Sequence, residues 1–445
     1  MSIFKRNKRS YWYCFNFVLL SSLLLQQCVS TNTVHQDDKN SELKVVRQAA
    51  EFEKQKGLIL IWPPFDHLEG KSNSEVTLEI LKNVAPHTPI TVTCATDSIR
   101  LIAEKRIQEV LPNLDINVKT IPSVEIWARD MGPNFVETND GKQAIADFNF
   151  DAWGYADTLD ADAIVEEKFD EKIAELYDLP IISSSLVSEG GDREVNGKGT
   201  LLTVETVEFG RNPNLTKEEI ESEFQRLLGV SNIVWLKKGL HEDDHTFNGP
   251  ILTHEGSKAY TVITTNGHID EFCRFVNDST ILLAQVDSSD LHDPIAMENH
   301  KRMEENYEIL KSAKDQDGKP FNIVRIPLPK TILATMKPGD GVYDYISTLN
   351  YTDGSSFPIG EEVPVIAAAS YLNFLITNNV VIAQKYWSEG MDESIKLRDK
   401  QALVTLKSVF PNRKVIAIDA LAVNLGGGGV HCITMQIPSN KAQAL

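Results

Sequence analysis

The chain has 445 residues, is 42% hydrophobic and 24% charged, and carries a net charge of −19. That length suits one large domain or two ordinary ones, and the composition is that of a globular protein rather than a disordered or fibrous one. So large an excess of acid makes a poor nucleic-acid binder and favours cationic partners, although it also serves plain solubility.

The N-terminus opens with Lys5, Arg6, Lys8 and Arg9, followed by an apolar run over 11–25 broken only by Asn16, Ser21 and Ser22. The run is shorter than the roughly 20 residues a spanning helix needs, so residues 1–27 read as a secretory signal. The sequence "LLQQC" resembles a bacterial lipoprotein signal in which Cys28 becomes the lipidated first residue, though Gln26 and Gln27 replace the usual small residues. Another exported form and an uncleaved anchor are the alternatives. Residues 28–45 read as a polar tether. Loss of 1–27 removes four basic and no acidic side chains, which takes the charge from −19 to −23. The expected location is outside the cytoplasm, lipid-anchored to a bacterial membrane on its periplasmic or outer side.

Short apolar strands then alternate with amphipathic helices. Residues 57–64 and 90–96 read as buried strands around a helix near 75–84. A helix is expected over 160–177, with Val165, Phe169, Ile173 and Leu176 on one stripe. Thr216 and Glu219 form a capping box for a helix that ends at Gly229, and "NIVWL" follows as a strand. Asp293 and Pro294 open a helix to about residue 313, then "NIVRIPLP" is a strand. "SYLNFLITNNVVIAQKY" reads as two strands around a Thr-Asn-Asn turn. A last helix over 392–409 precedes "KVIAIDA". No linker interrupts 46–445, which reads as a single α/β domain of about five strand–helix–strand modules; periodicity leaves open whether they form an open sheet or a ring.

Five cysteines are present: Cys14, Cys28, Cys94, Cys273 and Cys432. The last three are too far apart for a disulfide framework or for paired zinc ligands. Cys432 follows four consecutive glycines in "NLGGGGVHCITMQIP", a loop that delivers a residue at a strand start. It suits a nucleophile there, or a buried inert thiol. His431 is a poor base for it, since neighbours on a strand face opposite ways. In "TTNGHIDEFCRF", His268 and Asp270 would share one face of a strand, as an acid–base histidine beside a carboxylate, or would lie in a surface turn. Ligand spacing for a metal is lacking. In "EIWARDMGPNFVE", Asp130 lies in a turn near Trp127, an aromatic wall and carboxylate suited to a delocalised cation. The stretch around Glu189 is another tight turn, and Asn373 falls on an expected strand. Each motif alone is equally at home as structure.

Together, "WARDMGPNF", "EGGDREVNGKGTLLT", "RNPNLTKEEIE", "NGHIDEFCRF", "AASYLNF" and "GGGGVHCITMQ" resemble the agmatine deiminase and Porphyromonas-type peptidyl-arginine deiminase family of guanidino-group-modifying enzymes. The resemblance implies a five-bladed, pseudo-symmetric, pentein-like α/β propeller, one central site and no cofactor. Carried over by motif, it implies Cys432 as nucleophile, His268 as general acid and base, Asp130 and Asp270 as binders of the guanidinium, Glu189 as support for the histidine, and Asn373 and Trp127 as pocket residues. Two carboxylates can grip a planar guanidinium while a thiolate attacks its carbon. Those carboxylates also raise the thiol pKa, so Cys432 is expected to be neutral until a cation binds.

The segment after Asp130, "DFNFDAWGYADTLDAD", has no Lys or Arg and several Asp. That favours a small guanidine with a second cation, such as agmatine, over peptidyl-arginine or free arginine, whose carboxylates need a cationic partner. Export and a long run between Asp243 and Thr264 pull towards arginine-containing peptides. A surface binding protein without turnover is the third reading.

Overall fold

The computed structural model describes residues 43–440 except 156–159, 245 and 255. The signal, most of the tether and Cys28 lie outside the described residues. Among the described residues no helix is long and apolar enough to cross a membrane.

One pairing pattern occurs five times. A short strand runs antiparallel to a central strand, and a helical crossover returns the chain parallel to that central strand. The triplets are Thr434–Pro438 with Gln55–Ile61 and Ile90–Cys94; Asn134–Thr138 with Gln143–Asn149 and Ile181–Val187; Glu194–Val195 with Thr200–Val204 and Asn232–Leu236; Cys273–Phe275 with Thr280–Gln285 and Asn322–Pro327; and Leu375–Ile376 with Val380–Lys385 and Lys414–Asp419. The first sheet is extended by Asn117–Thr120 and the second by Val45–Gln48. Each crossover carries a helix, as parallel pairing requires. A further sheet, outside the pattern, joins Ile251–Leu252, Lys258–Thr261, Val363–Ile366 and Leu333–Met336. Its first hairpin is the long run after Asp243.

The middle residues of the central strands are mostly apolar and buried because both faces are covered. On Gln55–Ile61, Leu58 and Leu60 pack with Val380 and Ile382 of the fifth sheet. The alternate residues, Ile59 and Ile61, pack with Phe135, Ile145 and Phe169 of the second module. Each such side chain contributes about 1.5–3 kcal/mol of burial free energy. The remaining modules share one continuous core through Leu202, Phe272, Leu282, Phe374 and Val381.

Most expected elements are present, and the departures cluster. The helix expected over 160–177 is two, Ala161–Glu167 and Phe169–Tyr177, broken at Lys168. The break lets Phe169 and Ile173 enter the core while Leu176 stays exposed, and frees the Glu166 carboxylate to accept the Glu125 N–H. Two segments expected as strands are turns or irregular, and the His268 segment, left open between strand and turn, is a turn. Residues 269–271 form a 3₁₀ turn, 370–374 are irregular, and the last strand begins at Thr434 rather than before Cys432. The reason is common to all three: their backbone groups bond to side chains instead of a ladder. Ile269 N–H goes to Asp192, and the N–H groups of His431 and Cys432 both point at the Asn373 side-chain Oδ1.

The helix Lys217–Leu228 has the expected capping box, with Thr216 and Glu219 bonded reciprocally, and Gly229 left-handed at its end. Thr216→Ala should lower unfolding free energy by about 1 kcal/mol without affecting the site, measurable by urea denaturation.

Candidate active site

In all five modules the residues of interest sit in the turn just before the short antiparallel strand. Asp130 precedes Asn134–Thr138; Glu189 precedes Glu194–Val195; His268 and Asp270 precede Cys273–Phe275; Asn373 precedes Leu375–Ile376; Cys432 precedes Thr434–Pro438. A short strand has few ladder bonds, so its leading turn is free to adopt the geometry its side chains dictate.

These turns converge. The Asn373 amide nitrogen lies 3.0 Å from the Cys432 sulfur, 3.1 Å from Asp270 Oδ2 and 2.9 Å from Glu271 Oε1. The sulfur is 3.5 Å from Asp270 Oδ2 and 3.9 Å from Glu271 Oε1. The Cys432 carbonyl accepts the Arg129 N–H at 3.0 Å, tying the nucleophile turn to the Asp130 turn. Asp130 accepts from the Gly191 N–H and from the Trp153 indole, both at 2.9 Å. His268 Nε2 lies 3.4 Å from Glu189 Oε2 and its Nδ1 lies 3.7 Å from Asp130 Oδ1. Trp127 stacks on His67 at 5.9 Å. A Cβ at Gly428 would meet both the Trp127 ring, at 2.8 Å, and the Cys432 sulfur, at 2.9 Å. That answers why Cys432 follows glycines: a side chain at Gly428 would fill the space between thiol and indole. Gly191 is similar, since its Cβ would lie 2.5 Å from His268 Nδ1 and 2.8 Å from Asp130 Oδ1.

Every sequence-selected residue of this set is therefore in one cluster, nearly fully buried: Cys432 is 2% exposed, His268 0%, Asp270 1% and Asp130 6%. Among the described residues, His268 Nδ1 and Asp270 Oδ1 are buried with no hydrogen-bond partner. Polar atoms left open in a dry site are acceptors and donors for a ligand.

Charge is unevenly distributed. Burial raises the Cys432 thiol well above its ordinary value, and the carboxylates of Asp270, Glu271 and Asp130 raise it further. Burial, Asp270 and Asp243 likewise hold Glu271 well above the usual carboxylate range. Asp130 is pushed up by burial, with His268 opposing and Asp270 and Glu189 adding. Asp270 goes the other way: burial is outweighed by the hydrogen bond and charge of His431, and by His268. Burial of Glu189 is overcome by Arg211, 2.6 Å away, and by His268, which bring it down to about 2. Burial disfavours a charged His268, yet Asp130, Glu189 and Asp192 together lift it to about 10. The histidine is thus an imidazolium, and the thiol is neutral, at neutral pH.

Several residues of the site were not singled out by motif reading. His431 lies in a turn rather than on a strand, with Nδ1 2.7 Å from Asp270 and Nε2 2.8 Å from Glu51. Both ring nitrogens are engaged, which keeps it from serving as a base, for a reason other than strand alternation. Glu51 also binds Arg129 at 2.8 Å and Arg274 at 2.6 Å. Its segment, "QAAEFEKQKG", carries no catalytic signal, and its partners are more than 75 residues away. Glu271 adjoins Asp270 in the quoted motif and Trp153 lies in the acidic segment, so both were visible without being distinguishable.

Two trios bring ligand-type atoms within 4.8 Å of one another: Glu51, Glu194 and His431, and Asp270, Glu271 and Cys432. Such grouping across distant segments is invisible to spacing. In the first trio the guanidiniums of Arg129 and Arg274 already neutralise the carboxylates, Arg274 pairing with both Glu51 and Glu194. In the second the Asn373 amide sits among all three ligand atoms.

Comparison with known proteins extends the likeness over the whole described region. The model of the family described as Porphyromonas-type peptidyl-arginine deiminase matches residues 47–438. An agmatine deiminase of Pseudomonas putida is 31% identical over 88% of this chain and 95% of its own length. One from Medicago truncatula is 31% identical over 73% of this chain and 79% of its own length. A solved agmatine deiminase of Enterococcus faecalis superposes with a TM-score of 0.68 at 26% identity, covering 88% of this chain and 96% of that one.

Glu189→Gln leaves Arg211 buried without its main counter-charge. It should cost about 3 kcal/mol of stability near neutral pH. Because the Glu189 carboxyl is depressed from 4.5 to about 2, its contribution is complete above about 4.5 and is lost as pH falls through about 2. The deficit of the variant in urea unfolding should therefore shrink over that acid range.

Proposed function

The chain belongs to the Porphyromonas-type peptidyl-arginine deiminase family, and from that premise we propose that it hydrolytically deiminates a small guanidine of the agmatine type, giving the N-carbamoyl amine and ammonia. The observation that carries this reading is a neutral thiol held beside paired, partly unpartnered carboxylates and a charged imidazole in one dry cluster.

The guanidinium would lie between Asp130 and Asp270, each accepting from its N–H groups, with Trp127 against its plane. Its positive charge offsets the carboxylates and lowers the thiol pKa, so the sulfur ionises when substrate arrives and its proton passes to bulk water, where the released ammonia later takes one up. The thiolate attacks the central carbon to give a tetrahedral adduct. His268, charged in the resting site, donates its proton to the departing nitrogen, and ammonia leaves as the S-alkylthiouronium forms. The now neutral His268, oriented by Glu189, takes a proton from water as the oxygen attacks the same carbon. Collapse breaks the C–S bond, the thiolate recovers a proton, and the ureido product leaves. Asn373 holds the sulfur and Asp270 in register.

Choice among guanidines rests on where the cations are. Arg129 and Arg274 pair with Glu51, Arg211 pairs with Glu189, and Arg193 bonds to Asn134 and the Ser188 carbonyl while lying over Phe148. Each arginine around the site is committed internally, which disfavours the carboxylate of free or peptide-terminal arginine. Deep burial of the thiol also suits a thin, unbranched chain. The second reading, peptidyl-arginine, is favoured by the family description and by the exported character of the N-terminus.

We further read the five repeated sheets as blades of one five-bladed propeller. Contacts of the first sheet with both the second and the fifth, and the equivalent placement of all site turns, support this. The pattern of Lys5 to Cys28 supports an exported, lipid-anchored protein.

The test is a colorimetric ureido assay with agmatine, free arginine and short arginine-terminated peptides. Agmatine turnover is expected to dominate; turnover confined to the peptides would reverse the substrate choice, and none at all would leave a binding protein. Cys432→Ala should abolish turnover while the thermal transition stays in place; activity in that variant would remove the thiol from the mechanism. Separately, thiolate absorbance against pH should show a lower Cys432 midpoint with a non-reacting guanidine bound than without it.

A further inference from the structure

Behind His268 lies a second buried acidic group that the reaction scheme leaves unused. Asp192, in the turn that carries Glu189 and Gly191, is fully buried. Its Oδ1 accepts the Ile269 N–H at 3.1 Å, and its Oδ2 accepts the Thr203 hydroxyl at 2.9 Å and the Val204 N–H at 3.1 Å. One carboxylate therefore staples the end of strand Thr200–Val204 to the peptide that follows His268. Glu208, on the helix Glu205–Arg211, shares the Thr203 hydroxyl at 3.3 Å and accepts the Ser188 hydroxyl at 2.7 Å. Glu208 Oε2 has no partner among the described residues, as a protonated carboxyl tolerates.

The turn 189–192 thus meets the reacting groups three times. Gly191 N–H holds Asp130, Glu189 holds the His268 ring, and Asp192 holds the His268–Ile269 peptide. We propose that Asp192 is a positioning residue for His268, fixing the backbone that carries the imidazole and setting, through its charge, the upper pH limit of the reaction.

The charged surroundings are specific. Asp192 faces Glu189 and Arg193 of its own segment, Glu208 of the neighbouring helix, and His268. His268 in turn faces Asp130, Glu189, Asp243 and Asp270, with Arg211 behind Glu189. Burial raises Asp192 to about 7 while His268 opposes the rise, so its charge develops with pH in the neutral range and then supports the imidazolium. Glu208 is held well above the usual carboxylate range, by burial first and by Asp192 next. The proposal rests on His268 acting as the acid of deimination, and its decisive readout does not need turnover.

That readout is the Cε1–H titration of His268 in histidine-labelled full-length protein, assigned with His268→Asn. Asp192→Asn keeps an acceptor for Ile269 N–H and removes the charge. Its His268 midpoint is expected to fall by roughly one unit, and the alkaline limb of kcat/KM for agmatine should fall with it. An unmoved midpoint overturns the proposal. Asp192→Glu keeps the charge and displaces the acceptor, so kcat should drop with the limb in place. A limb that moves in that variant also overturns the proposal, and this arm decides if Asp192→Asn does not fold. A shifted midpoint in a protein that turns over no guanidine would uphold Asp192 and sink the deimination reading instead.

Discussion

The site is organised around an excess of buried acid. Asp130, Asp270, Glu271, Asp243, Glu189 and Asp192 are all buried together, an arrangement that costs several kcal/mol per ion unless each charge is paired or neutralised. Two of them have partners strong enough to keep them ionised: Arg211 beside Glu189, and His431 beside Asp270. The others are raised by burial and mutual repulsion, with His268 opposing the rise at Asp130, Asp192 and Asp243. The same repulsion keeps the thiol protonated. In the proposed reaction a planar cation between Asp130 and Asp270 would relieve this at once, so that binding and activation of the sulfur would be one electrostatic event. It also gives a reason for the resting thiol to be inert towards oxidants and stray electrophiles, since the thiolate is the reactive form.

The way the fold supplies these groups is economical in geometry. The turn before each short strand is the repeated position, and the five turns carry different groups: a carboxylate, a carboxylate beside a histidine, the histidine itself with an aspartate, an amide and a thiol. The rigid central strands, covered on both faces, hold the turns in place. Within them, hydrogen bonds run from turn to turn rather than along the chain: Gly191 to Asp130, Ile269 to Asp192, His431 to Asn373, Arg129 to Cys432. No one module contains a working pair of residues in isolation except His268 with Asp270.

This explains what could be read without coordinates. The helices and central strands follow from local pattern: the capping box at Thr216, Pro294 at a helix start, and alternating or continuous apolar runs. The motif residues were also legible, because their neighbours in sequence have recurring form. The conformation of the motifs was not. Periodicity assigned strands to 370–374 and 431–433 and left 268–271 open between strand and turn, whereas apolar residues such as Ile269, Leu372 and Ile433 face the core there from turns. Local pattern reports burial, and a buried turn with its amides bonded to side chains looks the same as a strand. Glu51 lay beyond reach for a different reason. Its role comes entirely from partners at Arg129, Arg274, His431 and Gln436, and nothing adjacent to it marks a site.

The placement of Cys432 couples the site to completion of the fold. Cys432 lies two residues before the strand that pairs with Gln55–Ile61, Leu58 opposite Gln436 and Leu60 opposite Thr434. That pairing joins the two ends of the described chain, the contact with the largest loop-closure cost in the molecule. Glu51, at the other end of the described region, reaches the same place and receives both His431 and the Gln436 amide. The last strand therefore cannot detach without moving the sulfur, the His431 wedge that keeps Asp270 ionised, and the Arg129 contact to the Cys432 carbonyl together. A partly opened chain therefore loses the placement of the sulfur and the carboxylates that hold its thiol up in the same step.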